Sequence, residues 1–136
     1  MFNGVKIDAY ACSSELSGKS GSTPDGIGTF CHEFSHNLGL PDLYDIDYSG
    51  GYGMYIWSLM DAGCYCGPNL CGEVPCNFTG YERWLCGWSD LTELKEGCVI
   101  DDMPSVSAYG PTYLVRNRSY ADEYYLLENR QQTGWD

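Results

Sequence analysis

Positive charge is scarce in this sequence: seven Lys plus Arg stand against 19 Asp plus Glu, for a net charge of −12. Phosphate backbones are held by clustered Lys and Arg, so this balance argues against a nucleic-acid partner. It also disfavours an anionic membrane surface. No stretch approaches the roughly 18 apolar residues of a membrane span, and none is expected. The opening residues, Met1 to Asp8, lack the basic start and apolar run of a signal peptide. An export signal is therefore expected to lie outside these residues. No C-x-x-C pair occurs, which sets aside a zinc ribbon and a thioredoxin-like motif. Histidine is scarce too, with only His32 and His36.

What is present is apolar enough to fold. With 43% hydrophobic and 15% aromatic residues, the chain is not of disordered composition. Its 136 residues suit one domain with a single core, and neither repeat nor linker composition divides it, so 1–136 reads as one unit. Eight cysteines are many for this length, and Cys64, Cys66, Cys71 and Cys76 crowd into one short segment. That crowding predicts a disulfide-stapled loop and an oxidising compartment. Cys31 falls inside a predicted helix and reads as a small buried hydrophobe instead.

Alternation over Val5-Lys6-Ile7-Asp8-Ala9-Tyr10 predicts a strand. Ser13 to Gly28 is rich in Ser, Gly and Thr and reads as a loop. Asp25 is the expected N-cap of a helix from Gly26 to Leu38, with Gly39 as its C′ residue and Pro41 blocking continuation. Residues 40–56 look irregular. Phe78 to Trp88 predicts a second helix closing near Gly87, and 112–115 and 124–128 predict short strands. The fold class is α+β, with helices carrying the chemistry.

The first helix contains His32-Glu33-Phe34-Ser35-His36, an H-E-x-x-H pattern. Residues four apart share a helix face, so the two imidazoles can converge on one ion. Glu33, about 100° further round, can reach a water on that ion instead of the ion itself. On the helical wheel, Ile27, Phe30, Cys31, Phe34 and Leu38 form one stripe, expected to pack into the core. His32, Glu33 and His36 fall opposite, expected to face a cleft. A catalytic zinc needs a third protein ligand and one open position. A reversal at Gly39 would return Asp42 to the ion, with Asp45 and Asp47 as nearby rivals. A calcium-type site built from Asp42, Asp45 and Asp47 is a weaker alternative. Zinc would acidify a water and polarise a carbonyl, while Glu33 would move the proton to the leaving amine.

The run from Gly28 to Asp45 resembles the active-site segment of the immune inhibitor A family of secreted bacterial metallopeptidases, which are metzincin-like. The family pattern H-E-x-x-H-x-x-G-L-P-D-x-Y-D is present at every fixed position. Trp57-Ser58-Leu59-Met60-Asp61-Ala62-Gly63 resembles the segment of the methionine turn, with Met60 as the methionine beneath the metal. Tyr81 to Trp88 and Glu123 to Gln131 resemble a following helix and a later strand. The resemblance implies a metzincin-like catalytic domain and a secreted zinc endopeptidase acting on proteins, with His32, His36 and Asp42 as ligands and Glu33 as catalyst. No tyrosine is assigned to stabilise the oxyanion from the sequence, Tyr81 being only a guess. Because only about 25 residues precede the helix, the resemblance also implies a fragment lacking most of the upper subdomain, whose sheet edge would bind substrate. Any apolar surface so bared is expected to favour aggregation or oligomers.

Two other classes compete. A metallopeptidase-like remnant could bind protein or glycan through its 12 Tyr and 4 Trp, and a disulfide-rich structural domain would account for the cysteines alone. An intact His32, Glu33 and His36 set favours the enzyme, because a remnant has no use for Glu33.

Overall fold

The computed structural model describes residues 3–6, 8–18, 21–120 and 122–135. The chain packs as two units, Met1–Cys76 and Asn77–Asp136. The strand expected over Val5–Tyr10 does not form among the described residues, and its Ile7 lies outside them. In the first unit, β1 (Leu16–Ser17) and β2 (Thr23–Pro24) make a two-residue antiparallel pair within the segment read as loop. Helix α1 (Ile27–Asn37) follows. Its N-cap is Gly26, not Asp25; the Asp25 carboxylate instead accepts from the Gly26 N–H at 3.1 Å.

The end of α1 was legible. Gly39 has φ +93°, its N–H donates to the carbonyl of His36, and the Leu40 N–H reaches back to Ser35. This pair of bonds is the Schellman arrangement, which needs a residue at positive φ just past the helix. Leu40, only 2% exposed, then anchors the outgoing chain. Gly39→Ala is expected to cost about 1–2 kcal/mol, because a Cβ there meets the following carbonyl. Chemical denaturation of the two proteins measures it.

The apolar stripe on α1 contradicts expectation. Ile27, Phe30, Phe34 and Leu38 are 52%, 53%, 48% and 45% exposed, whereas Gly28, His32 and Ser35 are buried. The cause is a backbone-to-backbone contact. The Gly28 N–H donates to the Gly72 carbonyl at 2.9 Å, and a Cβ on Gly28 would stand 1.7 Å from the Cys64 carbonyl oxygen. Only the small-residue side of the helix can come that close, and this rotation carries His32 inward and the Phe30–Phe34 pair outward.

The expected disulfide staple does not form among the described residues. Segment 64–76 is held instead by backbone bonds, Gly72 to Tyr65, Val74 to Cys66 and Cys76 to Gly63. The Glu73 carboxylate adds bonds from Asn69 Nδ2 and the Cys71 N–H. Cys31 is half-buried, and desolvation raises its thiol pKa. Cys64 is more extreme, buried and pushed up to about 11 by desolvation. The thiolate is the reactive form, so buried Cys64 is expected to alkylate more slowly at pH 8 in the native protein than exposed Cys12, Cys71 and Cys98. Mass spectrometry after timed iodoacetamide exposure reads this. Because the folded chain holds this proton more tightly than the unfolded one, Cys64 removes stability as pH rises from about 9 to about 11.

In the second unit, α2 (Gly80–Leu85) is shorter than the predicted helix and opens on a capping box. The Thr79 hydroxyl accepts from the Glu82 N–H while the Glu82 carboxylate accepts from the Thr79 N–H. Glu82 is fully buried in consequence. Strands β3 (Leu91–Glu93), β4 (Thr112–Arg116) and β5 (Tyr124–Leu127) form one sheet, parallel between β3 and β4 and antiparallel between β4 and β5. Glu128, just after β5, accepts from the Gly80 N–H and pairs with Arg130 at 3.1 Å, tying sheet to helix. The arrangement is a small mixed α/β fold with few helices.

Candidate metal centre

Three side chains converge at the C-terminal half of α1. His32, His36 and Asp42 each offer one ligand atom, all within 4.8 Å of one another, and no other such group occurs among the described residues. Asp42 Oδ1 stands 3.1 Å from His32 Nε2 and 3.4 Å from His36 Nε2.

The backbone around the site orients each imidazole. His32 Nδ1 lies 2.9 Å from the carbonyl oxygen of Leu59, and His36 Nδ1 lies 2.8 Å from that of Leu40. A carbonyl can only accept, so both Nδ1 atoms carry the proton and both Nε2 atoms turn toward Asp42. The Schellman turn at Gly39 is what brings the Leu40 carbonyl back under His36. Leu59 belongs to the 58–61 turn, whose Met60 is fully buried.

The donor set fits a cation. With neutral imidazoles, two bare nitrogen lone pairs and a carboxylate oxygen face one another, which is repulsive unless a positive charge lies between them. Asp42 Oδ1 is buried without a hydrogen-bond partner, the acceptor that such an ion would satisfy. The spacing fits as well. Ligand atoms about 2.0–2.1 Å from a tetrahedral ion stand about 3.3 Å apart.

Other sequence-derived candidates lie elsewhere. Asp45 and Asp47 do not join the group: Asp45 accepts from the N–H groups of Gly50 and Gly51 at 2.9 and 3.0 Å, and Asp47 from that of Ser49 at 3.1 Å. The calcium-type trio of Asp42, Asp45 and Asp47 is therefore not assembled, since local N–H groups absorb the last two. Glu33 is half-buried on the helix beside His32. Tyr81 lies on α2 in the second unit, against Trp84 with ring centroids 6.1 Å apart.

The tyrosines that respond to Glu33 are others. Tyr44 has its phenol pKa raised chiefly by the charge of Asp42, with burial and a hydrogen bond to that carboxylate contributing and Glu33 adding a smaller effect. Tyr65 is raised chiefly by Cys64, with Glu33 again adding. Tyr44 is a fixed position of the extended motif, two residues after Asp42, although no role was assigned to it there, and nothing in the sequence marked Tyr65.

The site is thus a His–His–carboxylate centre carried by an H-E-x-x-H helix. Residues 20–87, half of the chain, match the family described as immune inhibitor A peptidase M6, catalytic domain, and the chain belongs to that family. Immune inhibitor A of Bacillus thuringiensis subsp. alesti is 35% identical over 75 residues, covering 50% of this chain and 11% of the relative. Pre-pro-metalloprotease PrtV of Vibrio cholerae serotype O1 (strain M66-2) is 39% identical over 57 residues, covering 41% of this chain and 6% of the relative. The chain therefore spans about a tenth or less of the length of these relatives.

Proposed function

We propose that this chain carries the catalytic centre of a zinc-dependent endopeptidase acting on protein substrates. The observation that carries the reading is the convergence of His32, His36 and Asp42 around an unsatisfied buried carboxylate oxygen. Two imidazoles and one carboxylate suit zinc, whereas calcium takes oxygen ligands. Zinc bound there would acidify a water and polarise the scissile carbonyl.

The chain's own residues have distinct tasks. His32, His36 and Asp42 would hold the ion, and the Leu59 and Leu40 carbonyls fix the two imidazoles. Glu33 would take the proton of the attacking water and return it to the leaving amine. Membership of the M6 peptidase family and the metalloprotease name of PrtV support hydrolysis as the reaction. The metzincin-like assignment rests on the extended motif through Asp42 and on buried Met60 following the Leu59 carbonyl that holds His32. The family match runs across residue 76, which supports treating both packed units as parts of one catalytic domain. Secretion is supported by the pre-pro form named for PrtV, and no helix of the described residues is long and apolar enough to cross a membrane.

The test is cleavage of an unfolded protein substrate by the purified chain, with and without a zinc chelator. Cleavage that stops with chelator and returns with added zinc is the expected result. Cleavage indifferent to chelation overturns the metal-dependent reading.

A further inference from the structure

The first unit holds a nearly buried carboxylate that the proposed reaction does not use. Asp61 is 9% exposed and follows Met60 directly. Its two oxygens each accept one backbone N–H, Oδ1 from Ala62 and Oδ2 from Tyr55, both at 2.6 Å. These are short, charge-assisted bonds in a nearly dry place, where such bonds are strong.

The bond to Tyr55 closes a ring. The Leu43 N–H donates to the Met60 carbonyl at 2.8 Å, and the Met54 N–H donates to the Leu43 carbonyl at 3.0 Å. Met60 is joined covalently to Asp61, and Met54 to Tyr55, so the Asp61–Tyr55 bond completes the circuit. Leu43 is gripped through both of its backbone groups, and Leu43 is bonded to Asp42. Two independent features show that the joint is tight. A Cβ on Gly53 would stand 2.3 Å from Asp61 Oδ2, 2.7 Å from the Leu43 oxygen and 2.8 Å from Tyr44 Cα. Tyr55 also sits at φ +51°, a left-handed conformation unfavourable for a tyrosine and sustained here by its bond to Asp61.

We propose that Asp61 is a positioning residue for the metal centre, locking the Leu43 backbone so that Asp42 is presented to His32 and His36. The proposal rests on the zinc reading above. Asp61 touches neither metal nor substrate and acts through Asp42.

The experiment measures zinc affinity of the full chain by competition with a chromophoric chelator, beside amide hydrogen exchange of the metal-free protein. Asp61→Asn keeps the shape but leaves one acceptor where two are needed, so one N–H must face another donor. It is expected to weaken zinc binding about 10–100-fold, the range for groups that orient metal ligands. Exchange at the Leu43 and Tyr55 amides should accelerate without any metal present. Asp45→Asn, which loosens a neighbouring loop outside the ring, is expected to leave affinity unchanged. In an Asp42→Asn background, Asp61→Asn should cost nothing further, because the residue it positions is gone. Gly53→Ala wedges the same joint without altering Asp61, and carries the test should the Asp61 variant not fold.

Wild-type binding of zinc with unaltered affinity in Asp61→Asn overturns the proposal alone. So does a loss that adds fully to that of Asp42→Asn. Failure of the folded wild-type chain to bind zinc overturns the metal-centre reading and this proposal with it.

Discussion

Glu33→Gln is expected to reduce peptide hydrolysis by about 10²–10⁴-fold while leaving zinc bound, the range that a positioned acid–base group contributes. Glu33 lies one residue from His32, on the same helix but outside the group of converging ligand atoms. On the proposed reading it would therefore not hold the ion. The glutamine keeps the volume of the side chain and cannot accept the proton of the attacking water. The check is turnover of an unfolded protein alongside metal content of the same sample. Loss of activity and metal together would mean that Glu33 holds the site together, contrary to its assigned role.

His36→Ala has the other large expected effect, this time on binding. Structural zinc sites with four ligands bind with about 10–16 kcal/mol, so one ligand carries about 3 kcal/mol and its removal should weaken binding by more than a hundredfold. Part of that strength would come from pre-orientation, since His36 Nδ1 already lies 2.8 Å from the Leu40 carbonyl oxygen. Asp42→Ala should lose affinity to a similar degree, and Asp45→Ala should not. Isothermal titration of the three variants with zinc separates these outcomes. Equal losses for Asp42→Ala and Asp45→Ala would mean that the acidic segment as a whole, and not Asp42, supplies the third ligand.

The parts of this molecule visible in the sequence are those governed by local rules. The helix around His32 and His36, its end at Gly39 and the return of Asp42 all follow from helix periodicity and a positive-φ stop. The strands at 112–116 and 124–127 follow from β-branched and aromatic runs. What failed to show depends on contacts distant in sequence. Which side of α1 packs was misjudged because the wheel counts apolar side chains, whereas the helix docks through the bare backbone of Gly28 onto Gly72. The cysteine segment looked like a staple because crowding of thiols says nothing about whether Glu73 and backbone bonds already close the loop. The Leu59 carbonyl meets His32, 27 residues earlier in the chain, and the hydrogen-bonded ring through Asp61 includes Leu43; no spacing rule connects either.

The exposed face of α1 is a consequence of that docking. Phe30 and Phe34 stack with centroids 6.1 Å apart, and Ile27 and Leu38 extend the same stripe. An apolar strip of this kind on the helix that carries His32 and His36 departs from the usual burial of large hydrophobic side chains.

The central claim is that His32, His36 and Asp42 form one zinc site, and elemental analysis of the folded, purified chain tests it most directly. The account predicts about one zinc per chain, removed by chelator, recovered on adding zinc, and missing from a His32→Ala, His36→Ala double variant that keeps its helical circular dichroism. A folded wild-type chain that binds no zinc, or one that holds as much zinc without the two histidines, would contradict it.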